Sequence, residues 1–74
     1  MAKVKETPKF EIGQMVRFYV IRFKKWYEGK VEGQDQEGDL KGCYNVRVTK
    51  AEGRYAYLEI GNLWAVDPLL MEAM

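Results

Sequence analysis

Hydrophobic and polar residues alternate along several short stretches of this chain. The first stretch, residues 15–23, places apolar side chains on one side of an extended backbone and mainly polar ones on the other. The apolar side holds Val16, Phe18 and Val20. A period of two is typical of a strand that buries one face. The alternation changes phase after Val20, which predicts a bulge or sharp bend there.

The same pattern predicts three further strands, over residues 26–33, 43–49 and 54–60. Gly29 lies in the middle of the second strand, where a glycine indicates close backbone approach or strong coiling. Residues 34–42 are polar and rich in glycine, which predicts a loop. Between the third and fourth strands we expect a tight hairpin turn, with the late Gly53 in a left-handed conformation.

The C-terminal segment predicts short elements only. After a turn at Gly61, we expect a 3₁₀-type turn or a short last strand over residues 64–66. Asp67 precedes Pro68, which predicts an N-cap followed by one helical turn. Together, these elements predict a single closed or nearly closed antiparallel barrel over residues 10–74. Residues 1–9 are expected to form a flexible N-terminal lead.

Composition narrows the function classes. The chain has 74 residues, 47% of them hydrophobic and 14% aromatic, which favours a folded domain with a small core. A core of this size leaves little room for a catalytic cleft. The absence of histidine and the single Cys43 exclude an intrachain disulfide, a Cys/His zinc site and histidine-activated nucleophiles. We therefore expect no catalytic residue, no cofactor, no metal site and no enzymatic activity.

The sequence also predicts the cellular location of the protein. Its apolar runs are much shorter than the roughly 20 residues that span a bilayer, and the first residues lack a signal-peptide pattern. One cysteine in the chain is consistent with a reducing compartment. We therefore expect a soluble cytoplasmic protein with no membrane partner.

Charge is distributed unevenly along the chain. The formal net charge is +1, but residues 1–30 carry eight basic and three acidic side chains, a net +5, and residues 31–74 carry four basic and eight acidic ones, a net −4. This division predicts either two faces of opposite sign or two halves that interleave in one sheet and pair their charges across strands.

Four segments carry a resemblance to a known superfamily. They are Phe10-x-Ile12-Gly13-x-x-Val16-Arg17, Trp26-x-x-Gly29-x-Val31, Tyr44-x-Val46-x-Val48, and Leu63-Trp64 through Leu69-Leu70. Their order, over residues 10–70, resembles SH3-like barrels and in particular the Tudor/agenet and KOW group. The resemblance implies an all-β, small SH3-like barrel of about five antiparallel strands, with a short 3₁₀ or helical turn near the C-terminus.

A Tudor-like module implies an aromatic cage for methylated lysine or arginine, in which ring faces stabilise a cation. The candidate rings are Tyr19, Trp26, Tyr55, Tyr57 and Trp64, and the candidate acid is Asp35, Glu37 or Asp39. The alternative is that both tryptophans are core or barrel-end residues and that Tyr55 and Tyr57 belong to a protein interface.

A KOW-like module implies RNA or DNA binding. Residues 17–27 interleave basic and aromatic side chains, as surfaces that contact phosphates and stack bases do. The alternative is a strand whose long cations cover apolar surface. A third, remote possibility is a pore enzyme assembled from identical barrels, as in type II dihydrofolate reductase. Its Val-Gln-Ile-Tyr stretch is absent here, and the nearest segment is 57–60.

Outward aromatic side chains are numerous for so small a chain, and exposed aromatic patches usually form interfaces. We therefore predict a non-catalytic binding or adaptor module that binds a protein partner or a second copy of itself, with weak nucleic-acid binding as the alternative. The predicted partner surface comprises Arg17, Tyr19, Arg22, Lys24, Lys25, Trp26, Tyr55 and Tyr57.

Overall fold

Five antiparallel strands form one sheet in a computed structural model that describes residues 8–74. The strands are β1 (Met15–Val20), β2 (Lys25–Gln34), β3 (Tyr44–Ala51), β4 (Leu63–Val66) and β5 (Met71–Ala73). Two 3₁₀ turns, Ala56–Leu58 and Pro68–Leu70, precede β4 and β5. The predicted all-β class is confirmed, and the architecture fits a small SH3-like barrel. Most of the predicted flexible lead, residues 1–7, lies outside the described residues.

The sheet does not close, so of the expected closed or nearly closed barrel the fully closed form is not met. Its strand order is β4-β3-β2-β1-β5, which leaves β4 and β5 as edges with no pairing between them in the described residues. The five strands nevertheless bury one shared side. The core consists of Val16, Phe18, Val20, Tyr27, Val31, Tyr44, Val46, Val48, Val66 and Met71. The predicted alternation of β1 to β3 is confirmed by these positions.

Gly29 is the point of closest approach between β2 and β3. A Cβ atom built there would lie 2.6 Å from Cγ1 of Val46 and would also overlap the carbonyl oxygen of Arg47. Only a residue without a side chain fits this contact. The predicted close approach is confirmed, and the pairing register shifts at Glu28/Gly29 and again at Val31/Gly33. After Val20 the chain turns over residues 21–24, so the sharp bend is the one of the two expectations for this point that is confirmed.

The predicted fourth strand, residues 54–60, is wrong. Local i to i+3 bonds close this segment into turns, among them Leu58 N–H to the Tyr55 carbonyl at 3.0 Å. The backbone groups of Val48 are paired instead with Gly61 and Asn62, which lead into β4. The core explains the choice, because β4 buries Val66 and half-buries Trp64 against it. The connection is therefore a long loop, although Gly53 has the positive φ (+107°) expected of it.

The C-terminus matches the expected order of elements and adds one strand. Residues 63–66 form a short strand, the second of the two expectations for this segment. Asp67 caps the following turn, since its Oδ1 accepts the N–H of Leu69 at 2.9 Å. The unexpected β5 then pairs with β1, with Met71 opposite Phe18. β1 itself ends at Val20, earlier than expected, and a turn over residues 21–24 leads into β2.

Within residues 8–74 the structure contains no helix with the length and apolarity required to span a membrane.

Candidate interaction surface

Three predicted site residues meet on the outer face of β1 and β2. Tyr19 and Trp26 are cross-strand partners, and their ring centroids lie 5.3 Å apart in an edge-to-face arrangement. The guanidinium carbon of Arg17 lies 4.7 Å from the Trp26 ring centroid. We call Arg17, Tyr19 and Trp26 the outer-face cluster. Both rings are half-buried, so the cluster presents a partly fixed aromatic surface rather than two mobile side chains.

Glu72 of β5 fixes the cation of this cluster. Arg17 donates from Nε and Nη2 to Oε2 of Glu72, the first bond at 2.8 Å. The strand register continues the row, because Arg17 lies opposite both Glu72 and Glu28, and Glu28 lies opposite Lys50. Lys50 Nζ is 3.9 Å from a Glu28 carboxylate oxygen. Charges of alternating sign therefore cross four strands on the outer face, as the interleaved arrangement of the two halves predicts.

A second ion pair joins β2 to β3 on the same face. Arg47 donates to both carboxylate oxygens of Glu32 at 3.0 Å, and its Nη1 donates to the Gly61 carbonyl at 2.8 Å. The hydrogen bond from Arg47 lowers the pKa of Glu32, and the same bond raises the pKa of Arg47. Both side chains are exposed to solvent, so the pair fixes geometry more than it stabilises the fold.

A shallow groove of about 150 Å³ lies beside Trp26. Its lining combines two members of the outer-face cluster with the paired charges of the neighbouring strands. The lining residues are Arg17, Trp26, Glu28, Lys50, Ala51 and Glu52. An aromatic wall with both signs of charge at its rim suits a protein surface, whereas a nucleic-acid backbone requires cations without competing carboxylates.

Two predicted cations lie on the turn between β1 and β2, and a third, Lys25, is the first residue of β2. Arg22, Lys24 and Lys25 are exposed, and none has an ion pair within residues 8–74. Lys24 adopts a left-handed backbone conformation (φ +53°), which reverses the chain. The Arg22 guanidinium carbon is 5.9 Å from the ring centroid of Phe23. Residues 22–25 therefore form the most cationic part of the predicted surface, and this part is separate from the outer-face cluster that contains Arg17.

The remaining predicted residues lie apart from the outer-face cluster. Tyr55 is 62% exposed and lines a groove of about 210 Å³ together with Lys25 and the carboxylates of Glu52 and Glu59. Tyr57, on the 3₁₀ turn, is 70% exposed and lines none of the grooves described. The predicted surface is thus divided among the outer face, the turn and the loop after β3.

The aromatic rings proposed for a cage do not converge on one site. Trp64 packs on the inner side of the sheet, with its ring centroid 5.9 Å from that of Tyr27 and 6.4 Å from that of Phe18. Trp26 lies on the outer face instead, so of the two tryptophans only Trp64 belongs with the core. Of the three candidate acids, Asp35 is bound through its Oδ1 by the side-chain amide of Asn45 at 3.3 Å.

Sequence reasoning missed two residues of the outer face, Glu72 and Glu32. Glu72 was unassigned because β5 has only three residues, too few for alternation to indicate a strand. Glu32 is not among the predicted site residues, because its partner Arg47 follows only from the register of β2 and β3. Within residues 8–74, no three cysteine, aspartate or glutamate side chains are grouped so that they could hold a metal ion.

The chain is thus a small all-β protein whose exposed sheet face carries an aromatic and ionic cluster. No family model, no curated protein and no solved structure matches it.

Proposed function

We propose that this protein is a non-catalytic binding module that recognises a protein partner through the outer-face cluster. The observation that carries the proposal is the packing of Tyr19, Trp26 and Arg17, with the rings 5.3 Å apart and the cation 4.7 Å from Trp26. Tryptophan, tyrosine and arginine are the residue types that contribute most binding energy at protein interfaces. Rings held before binding lose less conformational entropy when a partner docks.

Electrostatics on the outer face support a protein partner over a polyanion. Arg17 is paired with Glu72, and Glu28 lies between Arg17 and Lys50. Each cation of the row therefore has a carboxylate beside it, which weakens attraction to phosphate. A protein surface with polar groups of both signs would complement such a rim.

The test compares three baits in affinity enrichment from the source cells: the wild type, Trp26→Ala and Leu40→Ala. Leu40 is an exposed apolar residue in the loop between β2 and β3 and is the matched control. We expect proteins that bind the wild type and Leu40→Ala but not Trp26→Ala. Sedimentation of the purified chain over a wide concentration range identifies a second copy as the partner. A folded Trp26→Ala variant that retains every bound protein and the same sedimentation behaviour would refute the proposal.

Nucleic-acid binding is a second candidate, supported by the cations Arg22, Lys24 and Lys25 near the exposed ring of Phe23, which form no ion pair within residues 8–74. Three such cations would give weak binding that falls steeply with salt. Fluorescence anisotropy with a labelled single-stranded oligonucleotide at low and high salt tests it. Lack of binding at low salt would exclude this candidate.

A further inference from the structure

A groove of about 220 Å³ lies where the barrel remains open, between the end of β1 and the outer edge of β4. β5 pairs with β1 only as far as Phe18, so the rest of β1 borders this opening. The lining is mainly apolar. Its apolar side chains are Phe18, Val20, Ile21, Trp64, Val66 and Leu70. Small-molecule pockets usually measure about 300–1,000 Å³, so this groove is better matched to one or two side chains of a larger partner.

Within residues 8–74 no strand pairs with the outer edge of β4, so this edge presents backbone groups along the groove. Both backbone groups of Val48 bond toward the β4 side, to Asn62 and Gly61, at 2.9 and 2.8 Å. Along a strand, the backbone N–H and C=O groups of successive residues point to alternate sides. Those of Val46 and Tyr44 therefore also point toward β4, where Trp64 and Val66 lie opposite them. The N–H and C=O groups of the intervening Ala65 therefore point away from the sheet.

β4 is a short edge strand, but it lacks the two side-chain features that usually protect such an edge, a charge and a proline. Its sequence is Leu-Trp-Ala-Val, with no charge and no proline. The other edge strand, β5, has only three residues and carries the charged Glu72. The two edges therefore differ, and β4 is the edge suited to pairing with another chain.

Charge at the groove favours an acidic ligand. Arg22 lines the groove and has no ion pair within residues 8–74, and Lys24 lies on the same turn. Asp67 is the single acidic residue that lines the groove, and its Oδ1 already accepts the Leu69 N–H. An incoming carboxylate would meet an available guanidinium there.

From these observations we propose that β4 binds an extended acidic–apolar peptide of a partner protein as an added strand. The peptide backbone pairs with Ala65, an apolar side chain enters the groove, and a neighbouring carboxylate binds Arg22. This mode combines backbone hydrogen bonds with a side-chain pocket, as β-strand addition does elsewhere. The surface is distinct from the outer-face cluster and does not depend on the function proposed for it.

A second copy paired through its own β4 would fill the groove poorly. Val66 is only 5% exposed, and Trp64 packs against Phe18 and Tyr27. Both inward side chains of β4 thus pack in the core of their own chain, and neither can enter the groove of another copy. A separate peptide segment has no such commitment.

The test uses three labelled probes: a short peptide alternating glutamate and valine, its twin with lysine in place of glutamate, and an oligothymidylate of similar length. Binding is followed by anisotropy and by amide shifts in ¹⁵N spectra of the full chain. We expect the glutamate peptide to bind and to shift the amides of Leu63, Ala65 and Ile21. The lysine twin should bind at least roughly tenfold more weakly, since it lacks the charged hydrogen bond.

Three variants locate the binding. Arg22→Glu and Ala65→Pro should each weaken glutamate-peptide binding by about tenfold or more, because one loses the cation and the other the outward N–H. Lys30→Glu makes the same charge change on the outer face of β2 and should alter affinity by less than about twofold. If Ala65→Pro does not fold, Arg22→Glu on the exposed turn decides the matter.

Several results would overturn the proposal. These are equal binding of the lysine twin, no binding of the glutamate peptide, or shifts confined to Arg17 and Trp26. Tighter binding of the oligothymidylate with the same shifts would assign the turn to nucleic acid instead. Concentration-dependent shifts of Leu63 and Ala65 without peptide would place a second copy on β4. Each outcome leaves the Trp26 enrichment experiment unaffected, so the two proposals fail separately.

Discussion

The guanidinium of Arg17 lies against the ring of Trp26, 4.7 Å from its centroid, while the same side chain donates two hydrogen bonds to Glu72. This contact links β5, β1 and β2 on the outer face of the sheet. An arginine whose guanidinium is both hydrogen-bonded to a carboxylate and in contact with an aromatic ring loses little further conformational freedom when a partner binds. The relationship therefore organises the face that we propose for protein recognition.

Replacement of Trp26 by alanine should cost much less stability than replacement of a core aromatic. Trp26 is half-buried on the outer face, whereas Phe18 is 1% exposed. We expect Phe18→Ala to lower the free energy of unfolding by about 3–5 kcal/mol or to abolish folding, and Trp26→Ala by about 1 kcal/mol. Urea denaturation followed by circular dichroism measures both. Equal losses would place Trp26 in the core and remove it from the proposed surface.

Gly29→Ala should destabilise the protein because the added methyl overlaps the Arg47 carbonyl and approaches Val46. We expect a loss of about 1–3 kcal/mol, the usual cost of overpacking. Gly33→Ala in the same strand is the control, since the nearest atom to its added methyl is Nδ2 of Asn45 at 3.9 Å. Thermal unfolding of both variants measures the difference. A Gly29→Ala variant as stable as Gly33→Ala would contradict the close approach of β2 and β3.

Acid should weaken the fold partly through Glu32. The hydrogen bond from Arg47 lowers the folded-state pKa of Glu32 below its ordinary value of 4.5. Its contribution to stability is therefore present above that value and is lost as pH falls through the lowered pKa. We expect the free energy of unfolding to fall more between about pH 6 and about pH 3 in the wild type than in Glu32→Gln. Identical pH dependence in the two proteins would show that the ion pair contributes nothing in solution.

Removal of the Asp67 cap should loosen the C-terminal turn. The Asp67 side chain satisfies the Leu69 N–H at the start of the turn that positions β5. We expect Asp67→Ala to lower the free energy of unfolding by about 0.5–2 kcal/mol and Asp67→Asn, which keeps an acceptor oxygen, to lower it less. Hydrogen exchange at the Leu69 amide provides a local measurement. Unchanged exchange in Asp67→Ala would exclude the cap as a stabilising contact.

The loop after β3 shows where prediction from sequence fails. Residues 54–60 alternate as a strand would, yet Tyr55 and Tyr57 end on an exposed turn segment. A local pattern specifies which side chains share a face, but it does not say which of two competing segments pairs with β3. The structure favours β4 because Val66 can be buried there while the exposed loop contributes no buried residue.

The proposed partner surfaces were only partly accessible to sequence reasoning. Arg17, Tyr19 and Trp26 belong to the predicted partner surface, although the sequence left open whether Trp26 is a core residue, and the register brings the three together. The grouping of Tyr55 and Tyr57 with them stays a prediction that the fold does not favour, because they lie on a separate loop. The sequence does not predict the groove beside Ala65, since this groove forms only where the end of β1 and the edge strand β4 face one another across the open side of the sheet.

The sequence alone determined that this chain is an antiparallel β protein, since alternation with a period of two sets the buried and exposed faces. It also determined the cap at Asp67, because that contact depends on local side-chain chemistry. At Gly29 the sequence left close approach and strong coiling open, and the contact with Val46 and Arg47 on β3 decided for close approach. The tertiary structure decided the strand order, the pairing of Arg17 with Glu72 and the free edge of β4. These features depend on contacts between residues that are distant in the chain. Which of the competing contacts forms is decided only when the whole core packs.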